Sequence, residues 1–218
     1  MTKARANHQN IQNEGGVALT TTRKLDVQPL APEGWRAFAA LFRTNRVTDG
    51  CWCMWFREPT SAFRAQEGAG NRDAFRRIVK GGPSPGVIAY LDGRAVGWCA
   101  VAPREEYGRL QRSRTLAPVD DTPVWSITCF FIDPACRGQG VAAALIEGAA
   151  ALAAQHGARV IEADPVDPGG GRIGAEDAYH GVVSMFRAAG FTEAARRSGR
   201  RPIMRRSLGR ARRPRAQP

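Results

Sequence analysis

The chain has 218 residues, 43% of them hydrophobic, and carries 32 Lys plus Arg against 20 Asp plus Glu, a formal charge of +12. Ten of the arginines and no acidic residue fall in 194–218, so the first 193 residues hold 22 basic against 20 acidic side chains, a net +2. Collagen-like repeats, a coiled coil and wholesale disorder are excluded, and a near-neutral body with a cationic end remains. The most apolar stretch, 141–154, is interrupted by Glu147 and Gly148 and falls short of the ~20 residues of a membrane span. The first residues, MTKARANHQNIQNEGG, lack the apolar core of a secretory signal, so a cytoplasmic protein away from membranes is expected. Five cysteines without a C-x-x-C pair, beside three histidines, predict reduced thiols and no metal site.

In chain order, 1–22 is polar and aperiodic and reads as a flexible leader. Residues 25–30 suggest a first strand. Pro32 then opens a helical pattern with Trp35, Phe38, Leu41 and Phe42 on one face. The segment Cys51-Trp52-Cys53-Met54-Trp55-Phe56-Arg57 follows. Asn71 is expected to cap a helix that ends at Gly81-Gly82. The runs 87–90 and 95–101, joined by Leu91-Asp92-Gly93-Arg94, predict a hairpin. Residues 124–132 read as a long central strand halted by Asp133-Pro134. An Ala-rich helix over 141–156, a strand over 159–163, a Pro- and Gly-rich loop, a helix over 178–189 closed by Gly190, and strands from Phe191 and over 202–206 complete a mixed α/β sheet flanked by helices.

Where the central strand ends, Arg137-Gly138-Gln139-Gly140-Val141-Ala142 leads straight into the Ala-rich helix. Glycines let the backbone approach a ligand closely with several N–H groups pointing outward, and a helix N-terminus adds partial positive charge. Phosphate oxygens suit such a place, with Arg137 as a neighbouring charge. Neither a dinucleotide fingerprint nor a P-loop is present.

R-x-x-G-x-A over 137–142 resembles the pyrophosphate-binding motif of the GNAT superfamily of N-acetyltransferases. Met185-Phe186-Arg187-Ala188-Ala189-Gly190-Phe191 is similar to the closing helix and strand start of that fold. The stretches CWCMWF, VWSITCFFID and IEADPVD also resemble a bacterial subgroup of GNAT proteins. The resemblance implies a GNAT fold over 23–207: a mixed, mostly antiparallel central sheet with a V-shaped splay, flanked by helices, with 208–218 as a disordered Arg-rich tail. It implies acetyl-CoA or another acyl-CoA as co-substrate, its pyrophosphate on Arg137, Gly138, Gln139, Gly140, Val141 and Ala142. A backbone N–H near Phe131 or Ile132 would polarise the thioester carbonyl as charge develops. A primary amine of a small molecule would then attack directly. Many family members place a tyrosine four residues before the closing glycine; here Phe186 stands there, and Thr128 stands where some carry a glutamate. Glu162, Asp164 or Glu58 remain as candidate bases, and Tyr179 or Ser184 as candidate acids.

In the same fold the region after the first helix borders the acceptor cleft. Trp52 and Trp55 are therefore candidates for an aromatic wall or for a buried apolar element, with Arg57 facing an acidic group and Arg104 and Tyr107 at the border. The pairs Arg196-Arg197, Arg200-Arg201 and Arg205-Arg206 offer phosphate contacts. They keep open a tRNA-dependent reading, in which aminoacyl-tRNA is donor or acceptor, beside a plain solvated end. A third alternative is a non-catalytic acyl-CoA-binding protein. Monomer and homodimer both remain open.

Overall fold

The computed structural model describes residues 23–209 apart from positions 172, 175 and 176. The leader expected at 1–22 and nearly all of the tail expected at 208–218 lie outside the described residues. The elements run β1 (Leu25–Pro29), α1 (Trp35–Phe42), α2 (Arg46–Cys51), α3 (Thr60–Ala65), α4 (Ala69–Gly81), β2 (Gly86–Leu91), β3 (Arg94–Pro103), α5 (Gly108–Arg112), β4 (Trp125–Ile132), α6 (Val141–Gln155), β5 (Val160–Ala163), α7 (Val183–Ala188), β6 (Thr192–Arg196) and β7 (Pro202–Ser207). The strands form one seven-stranded sheet in the order β1-β2-β3-β4-β5-β7-β6. Only β4 and β5 pair in parallel; the other neighbours are antiparallel.

The hairpin forms as expected, with Asp92 and Gly93 at φ 51° and 81°, the positive torsions of a tight turn that matches strand twist. On one face α6 buries Leu145, Ile146, Ala149 and Ala153 against Val87, Cys99 and Val101. The approach is close: a Cβ on Gly97 would lie 2.9 Å from Val141 and 3.0 Å from Leu145. On the other face α1, α2 and α4 gather Phe38, Phe42, Trp52 and Phe75 around Trp98 and Phe131. Phe38 meets Trp98 edge-on at 4.8 Å between centroids, an arrangement favourable beyond its buried area.

Two local expectations change. α4 begins at Ala69, so Asn71 lies inside it; its buried side chain donates to the carbonyls of Gly50 (3.0 Å) and Phe63 (3.3 Å), tying three segments together. The helix expected over 178–189 is a 3₁₀ turn (Asp177–His180) followed by the shorter α7. Val182 is extended and bridges Val166 in parallel, which breaks the helical path between them.

Candidate active site at the parting of β4 and β5

The parallel pairing of β4 with β5 is short: Trp125 with Ile161, Ser126 with Glu162, and Ile127 with Ala163. Beyond Ile127, β4 runs on to Ile132 without a β5 neighbour, which is the splay expected from the sequence. Along its other edge β4 pairs with β3, but Ala100 opposes Cys129 while Val101 opposes Ile127, leaving Thr128 as an extra residue. Such a bulge bends the strand and re-aims side chains. Thr128 and Cys129 consequently both line a cavity of about 530 Å³ on the α1–α4 side of the sheet.

Segments far apart in sequence build the rest of that cavity. Phe42 comes from α1, Cys51 closes α2, Phe63 comes from α3, and Tyr179 and His180 come from the 3₁₀ turn after β5. The turn after α2 has an unusual backbone, with Trp52 at φ 45° and Cys53 at φ 56°. Two successive left-handed residues without glycine are strained by about 1–2 kcal/mol each. The reversal sends Trp52 into the core, 1% exposed and stacked 5.9 Å from Trp35, and leaves Trp55 41% exposed at the cavity. The Cys53 Sγ accepts from Trp98 Nε1 at 2.9 Å, which anchors the strained turn to β3. Burial keeps both thiols protonated, Cys51 pushed up to about 12 and Cys53 well above its ordinary value.

At the far end of β4, a 3₁₀ turn (Pro134–Cys136) leads to Gly138 and Gly140 at φ 72° and 79°. These torsions favour glycine, and a Cβ at either position would meet nothing within 4 Å, so the surface above them is open. Among the described residues the N–H groups of 138–143 find no acceptor, as expected at the open start of α6. Asp133 fixes the loop by accepting from Ala135 N–H at 3.0 Å and from Arg94 Nη1 at 2.7 Å. Arg94 first, then the Ala135 N–H, hold its carboxyl below the usual carboxylate range. Arg137 is exposed and, among the described residues, makes no ion pair. Gln139 is turned back, donating to the Ala135 carbonyl and accepting from Arg23. Unsatisfied N–H groups, a helix start and an unengaged arginine fit a pyrophosphate.

The sequence candidates separate cleanly. Tyr179 and Trp55 line the cavity. Tyr179 donates to Asn45 Oδ1 at 3.2 Å and lies parallel to Phe131 with ring centroids 6.5 Å apart. Burial first, then Cys129, raise its phenol above the ordinary value, against the opposing charge of Arg137. Trp52 is no part of the aromatic wall, for the backbone reason above. Arg57 is not among the lining residues; it donates to Glu106 at 2.5 Å, with its guanidinium over the Tyr107 ring at 4.9 Å. The buried Tyr107 phenol faces the Thr128 hydroxyl without meeting strict hydrogen-bond geometry.

Arg104 and Glu162 also lie away from the cavity, joined by an ion pair at 2.6 Å, with Arg205 on the second Glu162 oxygen at 2.8 Å. Asp164 is buried against Arg201. Ser184 is exposed on α7 and is not among the lining residues. Phe186 is fully buried, edge-on to Phe130 and Phe191.

The arginine pairs are largely committed within the domain. Arg196 holds Glu193 and Asp167, Arg197 donates to the carbonyls of Ala117 and Pro118, Arg205 holds Glu162 and Asp120, and Arg206 holds Glu147. Arg201 likewise holds Asp164, so these side chains of the expected phosphate-gripping strip are spent on the domain's own carboxylates and carbonyls. The arginines at 210, 212, 213 and 215 lie outside the described residues. Phe63, Glu67 and His180 escaped the sequence reading, since nothing local marks them. They reach the cavity through long-range contacts such as the Gly68 N–H on the Gly50 carbonyl at 3.0 Å.

A family model described as the acetyltransferase (GNAT) family matches residues 52–172, more than half of the chain. The chain belongs to the GNAT family of acetyltransferases. This GNAT N-acetyltransferase shares its fold with a GNAT-family acetyltransferase from Streptococcus pneumoniae, 14% identical, covering 85% of this chain and 100% of that one, at a TM-score of 0.51. An agmatine N-acetyltransferase in an apo form is 11% identical, covering 84% of this chain and 99% of its own, also at 0.51. At these identities the likeness is one of fold. No curated protein matches the chain. In GNAT terms the matched region runs from the strained turn through β4 and the glycine loop into the segment after β5. Among the described residues no helix is long and apolar enough to cross a membrane, and no cluster of His, Cys, Asp or Glu is arranged to hold a metal ion.

Proposed function

We propose that this GNAT protein transfers an acetyl group from acetyl-CoA to the primary amine of a small molecule by direct attack on the thioester. The observation that carries this reading is the alignment along β4: the open N–H cradle of 138–143 at one end, the unpaired edge from Thr128 to Ile132, and the cavity at Thr128 and Cys129. Pyrophosphate oxygens would lie on the cradle beside Arg137. The pantetheine arm would follow the unpaired edge, extending the sheet by strand-like hydrogen bonds. A backbone N–H near Phe131 or Ile132 would then stabilise oxyanion charge, and the amine would enter from the cavity.

Two cavity side chains suit the proton traffic. His180 is the side-chain type that accepts the proton an ammonium must lose, so that the neutral amine can attack the thioester. Tyr179, kept protonated by burial, suits donation to the departing CoA sulfur. Glu162, held by two arginines, is excluded as the base in this proposal.

The test is mass spectrometry of products after incubation with acetyl-CoA and a panel of amines, with charged tRNA included as donor and as acceptor. Acetylated small amines are expected. Turnover on charged tRNA alone would replace this reading by the tRNA-dependent one, and acetyl-CoA binding without turnover on any acceptor would leave an acyl-CoA-binding protein.

A further inference from the structure

Among the described residues two large hydrophobic side chains are exposed, Val47 at 51% and Trp55 at 41%, and both line the β4 cavity. Apolar and aromatic side chains gathered in the lining of a cavity are the usual surface of a small-molecule site. The Trp55 ring is held rather than loose. The Arg109 guanidinium covers it at 3.8 Å, and Phe63 meets it edge-on at 5.2 Å and 86°. Tyr179 lines the same cavity, itself fixed by Asn45 and by its stacking on Phe131. Two flat, immobilised rings in the lining of one cavity suit another flat ring.

The electrostatics of the lining point the same way. Burial keeps Cys51 and Cys53 protonated, so these two thiols add no negative charge. Glu67 is the one carboxylate among the described lining residues; it is exposed, and Arg46, also exposed, lines the same cavity. An acceptor with several ammonium groups would have to leave water for a wall offering a single carboxylate balanced by an arginine. An acceptor with one amine surrenders that charge when it is deprotonated for attack, and its remaining surface can be apolar. The volume of about 530 Å³ lies within the ~300–1,000 Å³ of small-ligand pockets.

We infer that the acceptor is a primary arylalkylamine, its ring between Trp55 and Tyr179 and its amine directed at the Thr128–Cys129 bulge. This deepens the proposed acetyl transfer and rests on that reading for the reaction. The ring-binding slot is independent of it.

Two measurements on the full chain keep the two apart. The first is kcat/KM with acetyl-CoA for tryptamine and phenethylamine against n-butylamine, agmatine and spermidine, products being read by mass spectrometry. The aryl amines are expected to lead by about tenfold or more, and parity or a preference for spermidine or agmatine overturns the inference. The second is calorimetric binding of tryptamine to the wild type, Trp55→Ala and Trp55→Phe, with thermal melting as the check on folding. Trp55→Ala is expected to weaken tryptamine about tenfold and to leave acetyl-CoA affinity unchanged, with Trp55→Phe retaining most of the binding. No saturable tryptamine binding, or binding indifferent to Trp55→Ala, overturns the slot. Failure of acetyl-CoA binding instead defeats the acetyl-transfer reading while tryptamine binding still reports on the slot.

Discussion

Arg104 donates to Glu162 at 2.6 Å with both side chains more than nine-tenths buried, at 7% and 3% exposure. Removing one partner of a buried pair leaves an uncompensated charge and costs about 3–5 kcal/mol. Glu162→Gln is therefore expected to lower unfolding stability by that order in urea titration. The rate per folded molecule should stay close to wild type, because this carboxylate does not reach the cavity. A fall in kcat of a hundredfold with unchanged stability would return Glu162 to the role of base.

Asp164 titrates inside the fold. Burial raises its carboxyl from an ordinary 3.8 to about 6, with Arg201 opposing. The folded state therefore binds the proton before the unfolded chain does. This group's contribution to stability grows as pH falls from about 6 to about 4 and is lost as pH rises through that window. The carboxyls of Asp120, Asp133 and Asp167 are shifted downward and act below it. Asp164→Asn should flatten the stability profile between pH 4 and 6, as read by denaturant midpoints; an unchanged slope would contradict the assignment.

Gly140→Asp places a carboxylate where the pyrophosphate is proposed to lie. Its Cβ meets no neighbour, so the fold should persist at the modest cost of a left-handed residue, while acetyl-CoA affinity drops at least tenfold. Gly140→Ala, equally strained without the charge, separates the two effects. Equal affinity in wild type and Gly140→Asp, measured by calorimetry, would move the cofactor elsewhere.

Tyr179→Phe keeps the ring against Phe131 and deletes the proton. A role as acid predicts kcat reduced by about 10²-fold, with little change in acetyl-CoA affinity or melting temperature. A merely packing tyrosine would leave kcat intact.

Cys51 should be slow to alkylate despite lining an open cavity. A thiol pushed up to about 12 holds roughly 10³-fold less thiolate at pH 8 than one at its ordinary 9.0. Iodoacetamide labelling followed by peptide mass mapping checks this; rapid labelling at pH 8 would show the burial to be transient.

Local chemistry announced the parts of this molecule that are local. Asp92-Gly93 specifies its own hairpin, and the glycine loop could be read because Gly138, Gly140 and the start of α6 are neighbours in the chain. The acceptor side was far less legible. Trp52 and Trp55 would share a face on a helix, but Trp52 and Cys53 are both left-handed, and the Trp98 side chain that anchors this turn comes from β3, far from the letters C-W-C. The carboxylates Glu162 and Asp164 looked available because their arginine partners lie 37 to 58 residues away in sequence. The final helix was overestimated because its interruption depends on Val166.

The extra residue at Thr128 is a phase change in the strand. Trp125 and Ile127 send odd-numbered side chains to the α6 face, whereas beyond it Phe130 takes that face and Phe131 joins the aromatic layer on the other. Deleting Thr128 would remove only the insertion: Cys129 would follow Ile127 in plain alternation, and Phe130 and Phe131 would keep the faces they hold now. Lost would be the doubling by which one strand offers two consecutive side chains to the cavity, so the insertion belongs to the binding wall and not to the packing beyond it.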